Sequence, residues 1–227
     1  MKCSIMQPTF FPWSGYFNLI QDVDVFVFLD DVQFDRRSWQ TRNRLIQNNK
    51  MFYINVPIEK QHRNSILKDI KIHKDTDWNK KCISQISNVY GKYPFFNDLG
   101  CIIDFLNNNF INLVDLNIGV IRLISEMLSI ETLFVRASDL NCQGNRSDHL
   151  ANICRKINAT QYLSPVGSKE YLRKDGFLET HDDIELLFQN YVPGEYEQYK
   201  NKFFTRSLSI VDVIASIGIS KTKEYIL

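Results

Sequence analysis

The sequence predicts an α/β protein with a Rossmann-like, mostly parallel sheet and a helical insertion. Three observations carry this. DVFVFL at 24–29 is apolar on both faces, with Val25, Val27 and Leu29 on one and Phe26 and Phe28 on the other. A central strand covered on both sides needs that pattern. A strand, a loop, a short helix and this second strand follow within residues 2–29, the spacing of a βαβ opening. The apolar period then changes to about 3.6 over 78–128 before strand-like runs return.

Taken in order, residues 2–6 form a first strand ended by Gln7-Pro8, and 15–21 a short helix. A polar loop, DDVQFDRRSWQTRNR, covers 30–44. MFYINVPI at 51–58 is a strand stopped by Pro57, and DIKIH at 69–73 alternates like a strand with one wet face. Two or three helices within roughly 77–130 form an insertion that caps the sheet. TLFVRAS at 132–138 is a strand, and SDHLANICRKIN a helix with Ser147 as its N-cap. QYLS at 161–164 reads as a buried strand end and IELLFQ at 184–189 as the last strand. The last helix is SLSIVDVIASIG, with Gly218 as its C-terminal cap. The chain is expected to be one domain over 1–227.

Composition narrows the function classes. The 227 residues are 44% hydrophobic and 23% charged, with a net charge of +1. That balance supports a sizeable core and argues against a nucleic-acid partner, which normally demands a basic surplus. Five cysteines without a CxxC pair or clustered histidines argue for reduced thiols and no metal site. No apolar run reaches the roughly 18 residues of a membrane span, and Gln7, Pro8 and Pro12 interrupt any signal-peptide core. A cytoplasmic location is expected.

Chemistry is expected beyond the carboxyl ends of the strands, where open α/β sheets bind ligands. The stretch SIMQPTFFPWSGYF at 4–17 is rich in aromatic residues, and its prolines oppose a regular helix. Composition alone favours core for such a loop. As a ligand wall it offers Trp13 and Tyr16, with Phe34 beyond, as flat faces. Gly15 and Gly167 allow close backbone approach. Arg36, Arg37, Arg42 and Arg44 suit phosphate or carboxylate capture, a solvated face being the alternative. Asp30-Asp31 is a candidate general base or only a turn pair. Each histidine is isolated in sequence and reads as surface or satisfied. Cys3 reads as a structural thiol. PWSGY has the spacing of the HxGH element of nucleotidylyl transferases, but Trp13 and Tyr16 cannot carry the positive charge of its histidines. An ATP-dependent ligase or transferase is disfavoured accordingly.

Several stretches together resemble the WbqC-like proteins found with bacterial O-antigen and surface-polysaccharide genes. They are Gln7-Pro8, Phe11-Pro12-Trp13, Gly15-Tyr16-Phe17, DVFVFLDDVQF, RNR at 42–44, YLSPVGSKEYL at 162–172 and SIVD at 209–212. The chain has Met6 where many members have a His before Gln-Pro, which puts a catalytic histidine there in doubt. The resemblance implies an aminoacyl (glycine) or acyl transferase acting on an amino sugar. Its acceptor would be a nucleotide-linked amino sugar, and its donor a thioester or acyl adenylate, possibly on a carrier protein. In that reading Asp30 or Asp31 is the base and backbone around Gly15 or Gly167 the oxyanion hole. Arg42 and Arg44 hold the pyrophosphate, Asn43 the sugar, and Gln7, Trp13, Tyr16 and Ser164 complete the substrate site. The competing reading is a non-catalytic module that binds the nucleotide sugar or a carrier protein.

Overall fold

The structure, a computed structural model, describes every residue except 37, 63, 75 and 76. The strands are β1 (Lys2–Met6), β2 (Val25–Phe28), β3 (Arg42–Gln47), β4 (Lys50–Asn55), β5 (Leu133–Arg136), β6 (Gln161–Ser164) and β7 (Glu185–Phe188). Five of them form a parallel sheet in the order β5-β2-β1-β6-β7. The chain leaves β1 for β2 and β5 on one side and later returns to β6 and β7 on the other. β1 is therefore the strand beside which the order reverses, where such sheets open a crevice.

The helices are α1 (Ser14–Gln21), α2 (Trp78–Tyr90), α3 (Gly100–Leu106), α4 (Leu113–Met127), α5 (Ala137–Leu140), α6 (Ser147–Lys156), α7 (Lys169–Lys174), α8 (Phe177–Thr180) and α9 (Ile210–Tyr225). All four residues of β2 are buried, as its two-sided apolar pattern requires. Val25 and Val27 join Cys3 and Ile5 of β1 in a core closed by α6, α7 and α8. Phe26 and Phe28 face the opposite core, built on α1, α4 and α9 and extended by α2 and α3. Phe28 stacks on Phe134 of β5 with ring centroids 5.3 Å apart. Burying one such ring contributes roughly 2–3 kcal/mol, so β2 is the apolar axis of the molecule.

Four expectations are corrected. MFYINVPI does not enter the main sheet. Its first part, β4, pairs antiparallel with β3, from Arg42 opposite Asn55 to Gln47 opposite Lys50. Asn48 and Asn49 make the turn with φ of 50° and 62°, the left-handed pair a two-residue hairpin needs and asparagine tolerates. The DIKIH stretch follows a 3-10 turn at Leu67–Asp69 and makes only isolated bridges, between Ile58 and Ile72 and between Lys71 and Asn112. Ser147 is the first residue of α6 rather than its cap, and its hydroxyl donates to Asp175 at 2.9 Å. Gly218 does not end α9 but kinks it, at φ 79° and ψ 166°. A Cβ there would lie 2.7 Å from the Phe95 ring. The helix restarts where the Ile219 N–H donates to Asp98 at 2.9 Å.

Candidate functional site

The loop after β1 divides its aromatic residues between two tasks. Phe10 and Phe11 are fully buried, with centroids 4.3 Å apart, and belong to the core. Phe11 sits at φ 45°, a conformation that costs a side-chain-bearing residue about 1–3 kcal/mol unless its surroundings impose it. The Asn43 amide imposes it by donating to the carbonyls of Phe10 and Phe11 at 3.0 and 2.6 Å. Gln40 donates to the Gln7 side chain at 2.6 Å, and Asn117 to the carbonyls of Pro8 and Gln40. This network of buried amides holds the loop without a charge.

Trp13 has a different role, whereas Tyr16 is itself core, 2% exposed and packed against Phe17 and Phe26, and offers the cavity only an edge. With Met6, Thr9 and Pro12 the two line a cavity of about 230 Å3 at the carboxyl end of β1. Its remaining walls are Trp39, Asn43, Arg44 and Ser207. Gly15 makes this shape possible, because a Cβ there would lie 2.2 Å from the Trp13 ring. The close approach expected at Gly15 is thus taken by the protein's own indole. The Tyr16 hydroxyl donates to the Gln7 carbonyl at 3.1 Å, and burial pushes its pKa well above the usual range. Among the described lining residues Arg44 alone carries charge at neutral pH. Its guanidinium stacks 5.2 Å from the Trp39 ring and donates to the Ser207 carbonyl at 2.8 Å. The Ser209 N–H donates to the Arg44 carbonyl and the Ile210 N–H to that of Pro12. The start of SIVD therefore ties hairpin and loop together as the third wall.

The two candidate carboxylates have unlike surroundings. Asp30 is fully buried and accepts from Arg136 Nε, Ser138 N–H and Ser138 Oγ, at 2.8, 2.9 and 2.8 Å. Arg136 also reaches Asp115 at 3.0 Å. Burial works against its charge, but Asp30 and Asp115 together outweigh it and raise its pKa. Asp31 is partly exposed, and one oxygen meets His149 Nε2 of α6 at 3.2 Å. That hydrogen bond raises the His149 pKa against the opposing effect of burial.

Four of the expected substrate residues thus meet in one cavity: Trp13, Tyr16, Asn43 and Arg44. Arg42 lies two residues along β3, over the Tyr53 ring at 4.8 Å, outside that lining. Gln7 is used within the loop network. Ser164 is buried at the end of β6, and the Cβ position of Gly167 faces open space. Asp30, Asp31, Ser164 and Gly167 do not line the cavity. Phe34 is core, and Arg37 lies outside the described residues. Cys3 is buried with its sulfur 3.6 Å from that of Cys154. Trp39 is not singled out by the sequence, and His149, which reads there as surface or satisfied, is a buried histidine satisfied by Asp31. Trp39 stands close in sequence to the arginines, but His149 is 118 residues from its partner, beyond any local signal. No group of three or more metal-ligating side chains occurs among the described residues.

Residues 7–224 match the model of the WbqC-like protein family. The uncharacterized protein Rv1507c of Mycobacterium tuberculosis (strain ATCC 25618 / H37Rv) is 28% identical over 222 residues, which cover 96% of this chain and 94% of that one. No solved structure matches. With nearly its whole length matched by that family model, the chain belongs to the WbqC-like protein family.

Proposed function

We propose that the chain is an aminoacyl or acyl transferase that holds the amino-sugar part of a nucleotide-linked sugar in the aromatic cavity. One observation carries this reading: Trp13 and Trp39 line the cavity at the carboxyl end of β1, over the buried Tyr16, with Arg44 beside them. Aromatic faces suit the apolar faces of a sugar ring, and a guanidinium suits the phosphate attached to it. At about 230 Å3 the cavity is smaller than the roughly 300–1,000 Å3 of pockets for drug-sized ligands. It therefore suits one ring, leaving the diphosphate and nucleoside outside, towards Arg44.

In the proposed reaction the sugar amine attacks the carbonyl carbon of an activated donor, a thioester or acyl adenylate. The C–N bond forms, the thiolate or AMP leaves, and the amine gives up a proton to a carboxylate. Asp30 is ill suited, since three donors occupy it and no water reaches it. Asp31 is the better base of the two, because His149 engages one oxygen and leaves the other. It stands outside the cavity lining, so this role requires the sugar amine to project from the cavity mouth towards it. Turnover of Asp31→Asn with an amino-sugar nucleotide and an aminoacyl thioester tests the assignment. A loss of at least about 100-fold, within the range of general-base catalysis, is expected with sugar binding unchanged. Unchanged turnover would remove Asp31 as the base.

A second reading, a non-catalytic module that presents the sugar to another enzyme, is favoured by the absence of an acid–base pair among the described residues lining the cavity. It predicts sugar-nucleotide binding with no product from any donor.

A further inference from the structure

The outer face of the β3–β4 hairpin continues beyond the cavity into a surface with a marked chemical bias. Runs 42–55 and 198–211 contain no Asp or Glu, yet they carry Arg42, Arg44, Lys50, Lys200, Lys202 and Arg206. In a chain of net charge +1 this is a concentrated cationic region. The structure brings the two runs together. Asn49 N–H donates to Asn201 Oδ1 at 2.7 Å, and Lys202 N–H to Asn49 Oδ1 at 2.5 Å. This reciprocal pair fixes the hairpin turn against the 200–203 segment.

Apolar side chains protrude from the same region. Phe203 is 78% exposed and Met51 48%, each next to a lysine. Tyr53 lies two residues from Met51 on the same face of β4, and Trp39 is 6.4 Å from Tyr53. Both rings are themselves exposed. An exposed apolar stripe rimmed by cations marks a docking surface. Aromatic rings and lysines together are what a bilayer interface accommodates.

We propose that this face docks the protein onto an anionic phospholipid surface, with Phe203 and Met51 entering the headgroup layer and the surrounding cations meeting lipid phosphates. A nucleic acid is the weaker fit. It would need a platform of free ring faces for base stacking, and here an arginine guanidinium covers one face each of Trp39 and Tyr53, while the most exposed apolar groups of this face are a single protruding Phe and a Met. Because Trp39 and Arg44 belong to both the stripe and the cavity wall, docking would set the cavity mouth beside the headgroups. No helix among the described residues is long and apolar enough to cross a membrane, so the attachment is peripheral. This inference does not depend on the transfer chemistry.

The test is co-sedimentation of the full chain with vesicles of phosphatidylcholine alone and of phosphatidylcholine mixed with phosphatidylglycerol. The protein should pellet with the mixed vesicles, release at high salt and stay in solution with the neutral ones. Lys200→Glu/Lys202→Glu should weaken partition at least about tenfold, and Met51→Ser/Phe203→Ser several-fold, with melting temperatures unchanged. Absence of binding, equal binding to both vesicle types, or full binding by either variant would overturn the proposal. So would a single-stranded oligonucleotide that binds more tightly than the vesicles and ignores Met51→Ser/Phe203→Ser, since the face would then be a polyanion site.

Discussion

The carboxyl edge of the sheet has two halves built on opposite rules. Where β2 meets β5, a buried charge joins the strands: Asp30 takes three hydrogen bonds, two from the Ser138 segment and one from Arg136. Beside β1, the walls are rings and amides, Arg44 supplies the only charge among the described lining residues, and open volume remains. A carboxylate supplied with donors on every side makes a joint, because moving any partner strands a charge away from water. A wall of rings over a glycine leaves space and can release water to a ligand. The edge thus separates holding from binding, and each half predicts a different response to substitution.

The largest effect is expected at the joint. Asp30→Ala leaves the Ser138 N–H, the Ser138 hydroxyl and Arg136 Nε without their acceptor, with only Asp115 still meeting Arg136, and should cost roughly 3 kcal/mol, lowering the melting temperature by about 6–12 °C. Asp31→Asn, next in sequence, should cost within about 1 kcal/mol. Equal losses in urea titrations would erase the contrast between the two residues.

A second test concerns Asp212 of SIVD, buried in the first turn of α9. It accepts from the Tyr196 hydroxyl at 2.6 Å, and burial raises its pKa to about 6. For an acid raised on folding, the native state prefers the protonated form. Stability is therefore greatest below the ordinary value of 3.8, falls as pH rises towards about 6, and is flat above it. Asp212→Asn keeps an acceptor for Tyr196 and cannot ionise. It should gain roughly 2–3 kcal/mol at pH 8 and lose the slope between pH 4 and 6. A variant that unfolds earlier at pH 8 would show that the carboxylate is wanted ionised.

Gly15→Ala sharpens the comparison from the cavity side. The new Cβ must displace the Trp13 indole. A gain of about 1 kcal/mol in helix propensity offsets part of the lost packing, so stability should change by no more than about 1 kcal/mol. Ligand affinity, read by thermal shift with amino-sugar nucleotides, should fall about tenfold, or 1.4 kcal/mol. Unaltered affinity would separate the cavity from ligand binding.

The smallest effect is at His149. Its pKa is raised by the Asp31 hydrogen bond, so the pair's stabilisation is full below the ordinary histidine value near 6.5. It is lost as pH rises through the raised value. The change should be under about 1 kcal/mol and absent in His149→Gln, as denaturation at stepped pH would report.

How much of this was legible depends on sequence distance. The two-faced pattern of β2 predicts a central strand because burial of both faces is written as a run of consecutive apolar residues. Trp13, Tyr16, Asn43 and Arg44 could be singled out since each sits in an unusual local stretch. The hairpin was missed in part, because its strand β3 hides in a polar loop and its turn is Asn-Asn rather than a glycine signal. Gly218 was misread as a cap, since only the Phe95 ring packed against it reveals a kink.

By itself the sequence determined the parallel α/β class, the apolar axis through β2 and the family. These follow from hydrophobic period and short motifs, which act over a few residues. Only the tertiary structure decided which aromatic residues became core and which became wall, since both kinds look alike until their neighbours are known. It also separated Asp30 from Asp31. Adjacent carboxylates are chemically identical on paper, and the donors that distinguish them, Arg136, Ser138 and His149, arrive from more than a hundred residues away.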